Sequence, residues 1–410
     1  MRTIITTCCC ILALTQMTSA QSECTGGRYI DYDLFPNVNV TSAVTFGNNN
    51  AVAGGPVDLK MDVYQPAGDT ETNRPVVMMA FGGSFIGGNR GDVANLCNIF
   101  AKLGYVAVAP DYRVGLFFPN QVTTTLAVVR GAHDMKACVR YLRKTVAEDG
   151  NPYGIDPERI IVAGVSAGAI SAIHAAYYDD LSEIPSYMAN DTAGLGGVEG
   201  NSGTPGYSST PLAVLSFSGT IGDSSWIEPG DVPICSIHED ADVVVPYGTQ
   251  EVAVSGIPTG LIASGSGDLH IRAENVGIDN CLMTYLNVAN HTGYLIPIDP
   301  VAMDFATAFC ANMVCDGGSD CSNVEFDPTG ISEQIDRNSM NPYPNPAGEI
   351  LNFEASGIGS VTIMDLTGRE MMTLPTGKGL NRMDVSALTP GSYIIKLRAE
   401  TVSTARFIRQ

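Results

Sequence analysis

The stretch from Arg159 to Tyr178 constrains this chain more than any other. Arg159-Ile160-Ile161-Val162-Ala163 is a short apolar run rich in β-branched residues, the pattern of a buried strand. Ala167 to Tyr178 is rich in alanine and free of proline, so propensity predicts a helix. Between them stands Gly164-Val165-Ser166-Ala167-Gly168. A strand that turns at once into a helix through G-x-S-x-G holds its serine on a sharp, strained turn with the hydroxyl clear of the sheet. The small neighbours are what permit the turn.

The flanking chain alternates in the same way. Val57 to Tyr64 has period two, as in a half-exposed antiparallel strand, whereas Pro75 to Ala80 is apolar throughout, as in a strand covered on both faces. Phe81 to Gly88 follows with four glycines in eight residues, a loop whose main chain can approach a ligand closely. Asp92 is placed to cap a helix reaching Phe100 to Leu103, and Tyr105 to Pro110 reads as the next buried strand. A long helix is predicted over Asn120 to Ala147, and buried strands over Pro211 to Phe217, Val232 to His238 and Leu282 to Val288. Val301 to Met313 is the closing helix, and residues 190–210, rich in Gly, Ser, Thr and Asn, read as an exposed excursion at the rim of a site. Strands alternating with helices make an α/β fold with a mostly parallel sheet.

A serine hydroxyl needs a base to take its proton, and the base needs an acid to orient it. His291 directly follows the last predicted strand, in a loop with Asn290, Thr292 and Gly293, and is the candidate base. His270 lies in an amphipathic helical stretch, His174 on the helix after the serine and His133 on the long helix; all three read as structural. His238 closes its strand in His238-Glu239-Asp240-Ala241-Asp242 and also reads as structural, because the acid must come from that loop. Position alone leaves Asp242, Asp240 and Glu239 as rivals.

Phe81-Gly82-Gly83-Ser84-Phe85, Asp134 to Arg143 (DMKACVRYLR), Ile155 to Gly168 (IDPERIIVAGVSAG) and His238 to Tyr247 together resemble the α/β-hydrolase carboxylesterases. The likeness covers about residues 50–313. It implies an α/β-hydrolase fold and hydrolysis of carboxylic esters through an acyl-enzyme, without metal or organic cofactor. It places the acid on Asp242 and the oxyanion donors on the main chain of Gly83, Ser84 and Ala167. Two departures stand out: Phe81 replaces the family's loop histidine, and Glu239 replaces its glycine after His238. The oxyanion hole uses main-chain N–H groups, so Phe81 is compatible with it. A serine peptidase of the same fold would share every triad residue, and Phe81 leaves room for a non-catalytic surface protein on a decayed hydrolase fold.

Residues 1–20 read as a secretory signal, with Arg2, an apolar core from Ile4 to Leu14 and Thr18-Ser19-Ala20 as the cleavage site. That core is too short for a bilayer anchor, and no membrane span is expected in the mature chain. Eight cysteines outlast the signal: Cys24, Cys97, Cys138, Cys235, Cys281, Cys310, Cys315 and Cys321. In an exported protein an even number suggests disulfides, with buried free thiols as the alternative, and no pair has C-x-x-C zinc spacing. A net charge of −21, one unit lower without Arg2, repels phosphate backbones and anionic headgroups, which argues against nucleic-acid and membrane-surface partners.

At 410 residues more than one domain is expected. The divisions read as signal 1–20, catalytic domain 21–313, linker 314–340 and a C-terminal module 341–410. The last begins with Tyr343-Pro344-Asn345-Pro346 and then alternates short strands and turns, the pattern of a small all-β sandwich. Those prolines, Asp365-Leu366-Thr367-Gly368-Arg369, Leu388-Thr389-Pro390-Gly391-Ser392-Tyr393 and the basic-aromatic terminus resemble the C-terminal sorting domain of the type IX secretion system. The resemblance implies engagement of that machinery, export across the outer membrane, and release or attachment at the cell surface. Expected partners are therefore a small-molecule or polymer ester and the secretion apparatus.

Overall fold

A computed structural model describes residues 24–25, 27–32, 34–188, 195–315, 321–327, 342–355, 357–365, 369–399 and 402–410. The signal segment, residues 190–194 of the excursion, most of the linker and the Leu366-Thr367-Gly368 turn lie outside the described residues. Two compact units emerge, Met1–Pro328 and Thr329–Gln410.

In the first unit β1 (Val38–Asn50) and β2 (Pro56–Pro66) form an antiparallel pair, and β2 alternates buried and half-exposed positions as its pattern predicts. β3 (Arg74–Ala80) is buried at every position. Asn89, not Asp92, caps the short turn that follows; Asp92 answers from three residues on, accepting the Asn89 N–H at 2.9 Å. Then come α1 (Ala94–Lys102), the buried β4 (Val106–Pro110) and α2 (Gln121–Ala147), capped by Asn120, whose Oδ1 accepts the N–H of Val122 and Thr123. β5 (Ile155–Val165) leads through Ser166 into α3 (Ala167–Tyr177).

β6 (Ala213–Phe217), β7 (Thr220–Ile221), β8 (Ile234–Glu239), β9 (Thr249–Val254), β10 (Ile257–Gly265), α4 (Ser266–Val276), β11 (Asn280–Tyr285) and α5 (Pro300–Cys315) complete the core elements, and β12 (Val324–Phe326) adds an edge strand. The main sheet runs β1-β2-β4-β3-β5-β6-β8-β11-β12. β2 meets β4 antiparallel; every later neighbour pair is parallel. Both faces of these strands are covered, which explains their unbroken apolar runs. Because β3, β5, β6, β8 and β11 are parallel, the loops after them open on one edge, the edge where open α/β sheets bind ligands.

Two sequence expectations change. The last parallel strand is β12, not the one at Leu282, and α5 runs to Cys315, so the segment read as a linker from 314 supplies a strand of the sheet. A three-residue edge strand is too short to show periodicity. A second, three-stranded sheet, β7-β10-β9, was not anticipated. Its hairpin turns on Ser255-Gly256, both at positive φ (51° and 77°), as a two-residue turn of this hand requires.

Of the eight cysteines, Cys24 bonds Cys315 and Cys281 bonds Cys321, while Cys97, Cys138, Cys235 and Cys310 are buried free thiols. Both expectations thus hold, each for half the set. The first bridge joins residues 291 positions apart. Closing so long a loop restricts the unfolded chain, so Cys24→Ser is expected to cost about 2–5 kcal/mol of stability. Urea melts of variant and wild type without reductant check this.

In the second unit β13 (Ile350–Ala355) pairs antiparallel with a strand farther along the chain. β14 (Gly359–Asp365), β15 (Glu370–Thr376), β16 (Gly379–Asp384), β17 (Gly391–Arg398) and β18 (Val402–Arg409) follow, β16 being the partner of β13. The other sheet runs β15-β14-β17-β18. Leu351, Phe353, Ile363, Ile395, Leu397 and Phe407 share one core, giving the small all-β module. β15 is exposed along nearly its whole length and lacks alternation. Among the described residues of the chain, no helix is long and apolar enough to cross a membrane.

Candidate active site

Ser166 takes φ 55° and ψ −121° between β5 and α3, a conformation that only a tightly held turn imposes on a residue with a side chain. Gly164 and Gly168 make the turn feasible: a Cβ on either would collide with main chain, of Gly168 and Ala80 respectively. The Ser166 N–H donates to Phe217 O at 2.8 Å, tying the turn to the end of β6.

His291, in the loop after β11, lies with Nε2 2.8 Å from Ser166 Oγ and Nδ1 2.6 Å from Asp242 Oδ2. Asp242 follows β8. Its Oδ1 accepts the N–H of Val244 (2.7 Å) and Val245 (3.0 Å), which curls the loop back on the carboxylate. His238 Nε2 lies 3.2 Å from the same Oδ2 that meets His291. Burial pushes the Asp242 carboxyl up. The hydrogen bonds from His238 and His291, the charge of His291 and the Val244 N–H outweigh it and hold the group well below the usual carboxylate range. His238 Nδ1 meets Ser266 Oγ at 2.8 Å, so both ring nitrogens are engaged within the protein.

The structure does not bring the other acids to His291. Asp240 keeps its N–H in the sheet, bonded to Tyr285 O, and Glu239 points into the loop after His291, bonding Thr292 and Gly293. His270 is buried against Asn280, and burial pushes it down to about 4. Burial likewise pushes His174 down to about 4; its Nε2 accepts the Gly222 N–H at 3.1 Å. His133, also buried, falls to about 3 through burial and the nearby Lys136 and Arg113. None of the three stands in line with Ser166.

The Gly-rich loop lies beside the elbow. Gly83, Ser84 and Phe85 all have positive φ (127°, 54° and 59°), and a Cβ on Gly82 would lie 3.3 Å from Ser166 Cβ. The Gly83 and Ser84 N–H groups donate to no main-chain carbonyl among the described residues, and the Ala167 N–H opens α3, where no intrahelical acceptor exists. Phe81 replaces polar tethers with packing. Its buried ring stacks on Tyr112 at 4.3 Å, and the Tyr112 hydroxyl donates to Phe81 O at 2.7 Å.

A cavity of about 440 Å³ opens beside Ser166 and is lined largely by apolar side chains, among them Phe85, Ile170, Tyr178 and Trp226. Val252, Ala253 and Ile262 of the β9–β10 hairpin line it from another side. Sequence reasoning missed this hairpin: the Ser255-Gly256 turn is its one local signal, and the strands on either side lack strong alternation. The excursion is anchored more firmly than a loose rim. Lys136 donates to Tyr178 O and Val198 O, Arg140 to Gly203 O and Glu199, and Arg143 to Ser208 O and Thr210 O. The charged side chains of α2 thus hold residues 198–210.

Comparison with known proteins gives two family matches. Residues 61–195 match the BD-FAE family, a span that contains Ser166, Gly83, Ser84 and Ala167 but not Asp242 or His291, and residues 341–409 match the secretion system C-terminal sorting domain. Esterase-5A of Drosophila persimilis is 28% identical over 127 residues, which cover 31% of this chain and 22% of that one. Lipase 2 of Geotrichum candidum is 29% identical over 126 residues, 28% of this chain and 21% of the relative. The chain thus spans about a fifth of the length of the curated relatives it matches. Among solved structures, Thermogutta terrifontis esterase 2 phosphonylated by sarin is 20% identical with a TM-score of 0.47, covering 68% of this chain and 95% of that one. Its propionate-bound form is 21% identical with a TM-score of 0.45, covering 69% and 94%. The sorting domain marks the protein as exported, to the cell surface or beyond it. The chain joins an α/β-hydrolase domain, similar to the BD-FAE family over residues 61–195, to a type IX secretion C-terminal sorting domain at residues 341–409.

Proposed function

We propose that the first unit is a serine carboxylic ester hydrolase acting through an acyl-enzyme. The observation that carries this reading is the unbroken line from Ser166 Oγ to His291 to Asp242, at 2.8 and 2.6 Å. Ser166 attacks the ester carbonyl while His291 Nε2 takes its proton. Asp242 fixes the proton on His291 Nδ1 and stabilises the imidazolium. The N–H groups of Gly83, Ser84 and Ala167 receive the oxyanion. His291 returns its proton to the leaving alcohol, then activates the water that releases the acid.

The substrate is an uncharged short-chain ester, free or borne on a polymer. The cavity is large enough for a whole small ester or one ester-bearing unit of a polymer. Among the described residues its lining includes Glu183 and Asp223 and no lysine or arginine, which disfavours anionic substrates.

Turnover of p-nitrophenyl acetate and of peptide anilides tests the reading. Ester hydrolysis without anilide hydrolysis is expected; the reverse identifies a peptidase, and neither identifies a decayed fold. Each unit has its own core, so removing residues 341–410 is expected to leave soluble-ester activity within about twofold of the full chain while stranding the protein in the periplasm of its host. Assay of the truncated enzyme, beside fractionation of host cells, checks both halves.

A further inference from the structure

Glu239 closes β8 where the carboxylesterase pattern has glycine, and neither the elbow nor the acid assignment uses it. It is 1% exposed. Its Oε1 accepts the Gly293 N–H at 2.7 Å; its Oε2 accepts the Thr292 N–H at 3.2 Å and the Ser218 hydroxyl at 3.1 Å. The two N–H groups belong to the residues directly after His291. Thr292 has φ 55°, which aims successive N–H groups at one point, an arrangement that cradles an anion. Ser218 follows Phe217, whose carbonyl holds the Ser166 N–H.

One carboxylate therefore joins the end of β8, the end of β6 and the loop that carries His291. At its start the loop is tied to β12 by the Leu286 N–H, which donates to Phe326 O at 2.8 Å; around His291 the other main-chain bonds are local, among them Asn290 Oδ1 to the His291 N–H, the Leu295 N–H to Thr292 O, and the Ile296 N–H to Gly293 O. Besides the His291–Asp242 contact, a second tie to the sheet is the Tyr294 hydroxyl, which donates to Ile237 O at 2.7 Å and lies 2.9 Å from Ser218 Oγ. We infer that Glu239 is a positioning residue: it sets the imidazole of His291 in line with Ser166 by gripping the main chain of residues 292 and 293. The inference rests on the reading of His291 as the base.

Glutamine at 239 preserves shape but turns a donor toward a donor, and alanine removes the grip altogether. The test compares full-length wild type, Glu239→Gln and Glu239→Ala. It measures the rate at which a fluorophosphonate labels Ser166, kcat and KM on p-nitrophenyl acetate, and thermal melting. Labelling rate and kcat are expected to fall about tenfold in the glutamine variant and about a hundredfold in the alanine variant, as misplacement of a reacting group by an ångström costs. KM should stay within about threefold, with the glutamine variant fully folded at the assay temperature. A fall smaller than about fivefold in the glutamine variant overturns the inference, as does a rise in KM at constant kcat, or a loss equal to its unfolded fraction. Wild type that is labelled but hydrolyses no ester ends the esterase reading and leaves the labelling comparison to decide Glu239. Wild type that is not labelled at Ser166 overturns both.

Discussion

Ser166→Ala is expected to lower ester turnover by on the order of 10⁵- to 10⁶-fold, the loss seen when a member of a cooperating triad is removed. The substitution takes away the proposed nucleophile and leaves His291 and Asp242 with no proton to move. The proposed oxyanion donors are main-chain groups and survive it, so a small rate above uncatalysed hydrolysis is expected to remain. The fold should persist, because Ser166 is tied to β6 through its N–H and not through its side chain. A methyl group also sits at positive φ no worse than the serine side chain did. Stopped assays on p-nitrophenyl acetate, with circular dichroism as the control, measure the effect. Residual turnover above about a hundredth of wild type would mean that hydrolysis uses another nucleophile.

Asp242→Asn carries the second large effect, about 10⁴-fold in kcat. An amide at 242 cannot stabilise the imidazolium and can present its NH₂ to His291, which moves the ring proton to the wrong nitrogen. Asp240→Asn, whose main chain stays in the sheet, should change kcat by less than about threefold; that ranking, and not the loss alone, tests the assignment. The same carboxylate has a pH signature. Its donors lower its pKa in the folded protein, so its contribution to stability is complete above the unfolded value near pH 4 and is lost as pH falls below that through the depressed native value. Acid unfolding of Asp242→Asn should therefore lack this component. Urea midpoints of wild type and variant from about pH 5 down to pH 3 read it directly.

Some features of this chain were legible before any tertiary contact because their signals are local. The elbow is a run of β-branched residues, two glycines that permit a close turn, and an alanine-rich helix, all within twenty residues. The parallel strands announce themselves as continuous apolar runs, since each is covered on both faces. His291 stood out among five histidines as the candidate base because such a base follows a late strand, and only one histidine does so in a loop. Four of the remaining features needed the fold. The β12 strand is three residues long, and the hairpin over the cavity hides in a stretch without strong alternation. The bridge from Cys24 to Cys315 spans almost the whole first unit, and the role of Glu239 depends on N–H groups more than fifty residues away.

By itself the sequence determined that a strained serine would stand at the edge of a parallel sheet, with a Gly-rich loop, an acidic loop and a histidine loop on separate strands, and that an all-β export module would follow. Only the tertiary structure brings one of three acids within four residues, Asp242, against His291. Side-chain direction just past the end of a strand is set by how the loop turns. Here the Val244 and Val245 N–H groups fold back onto Asp242, while Asp240 is still held in the ladder by Tyr285. The hydrogen bonds that make one carboxylate face His291 and turn another toward the main chain behind it form only when β6, β8 and β11 lie side by side, and no local pattern of residues encodes that adjacency.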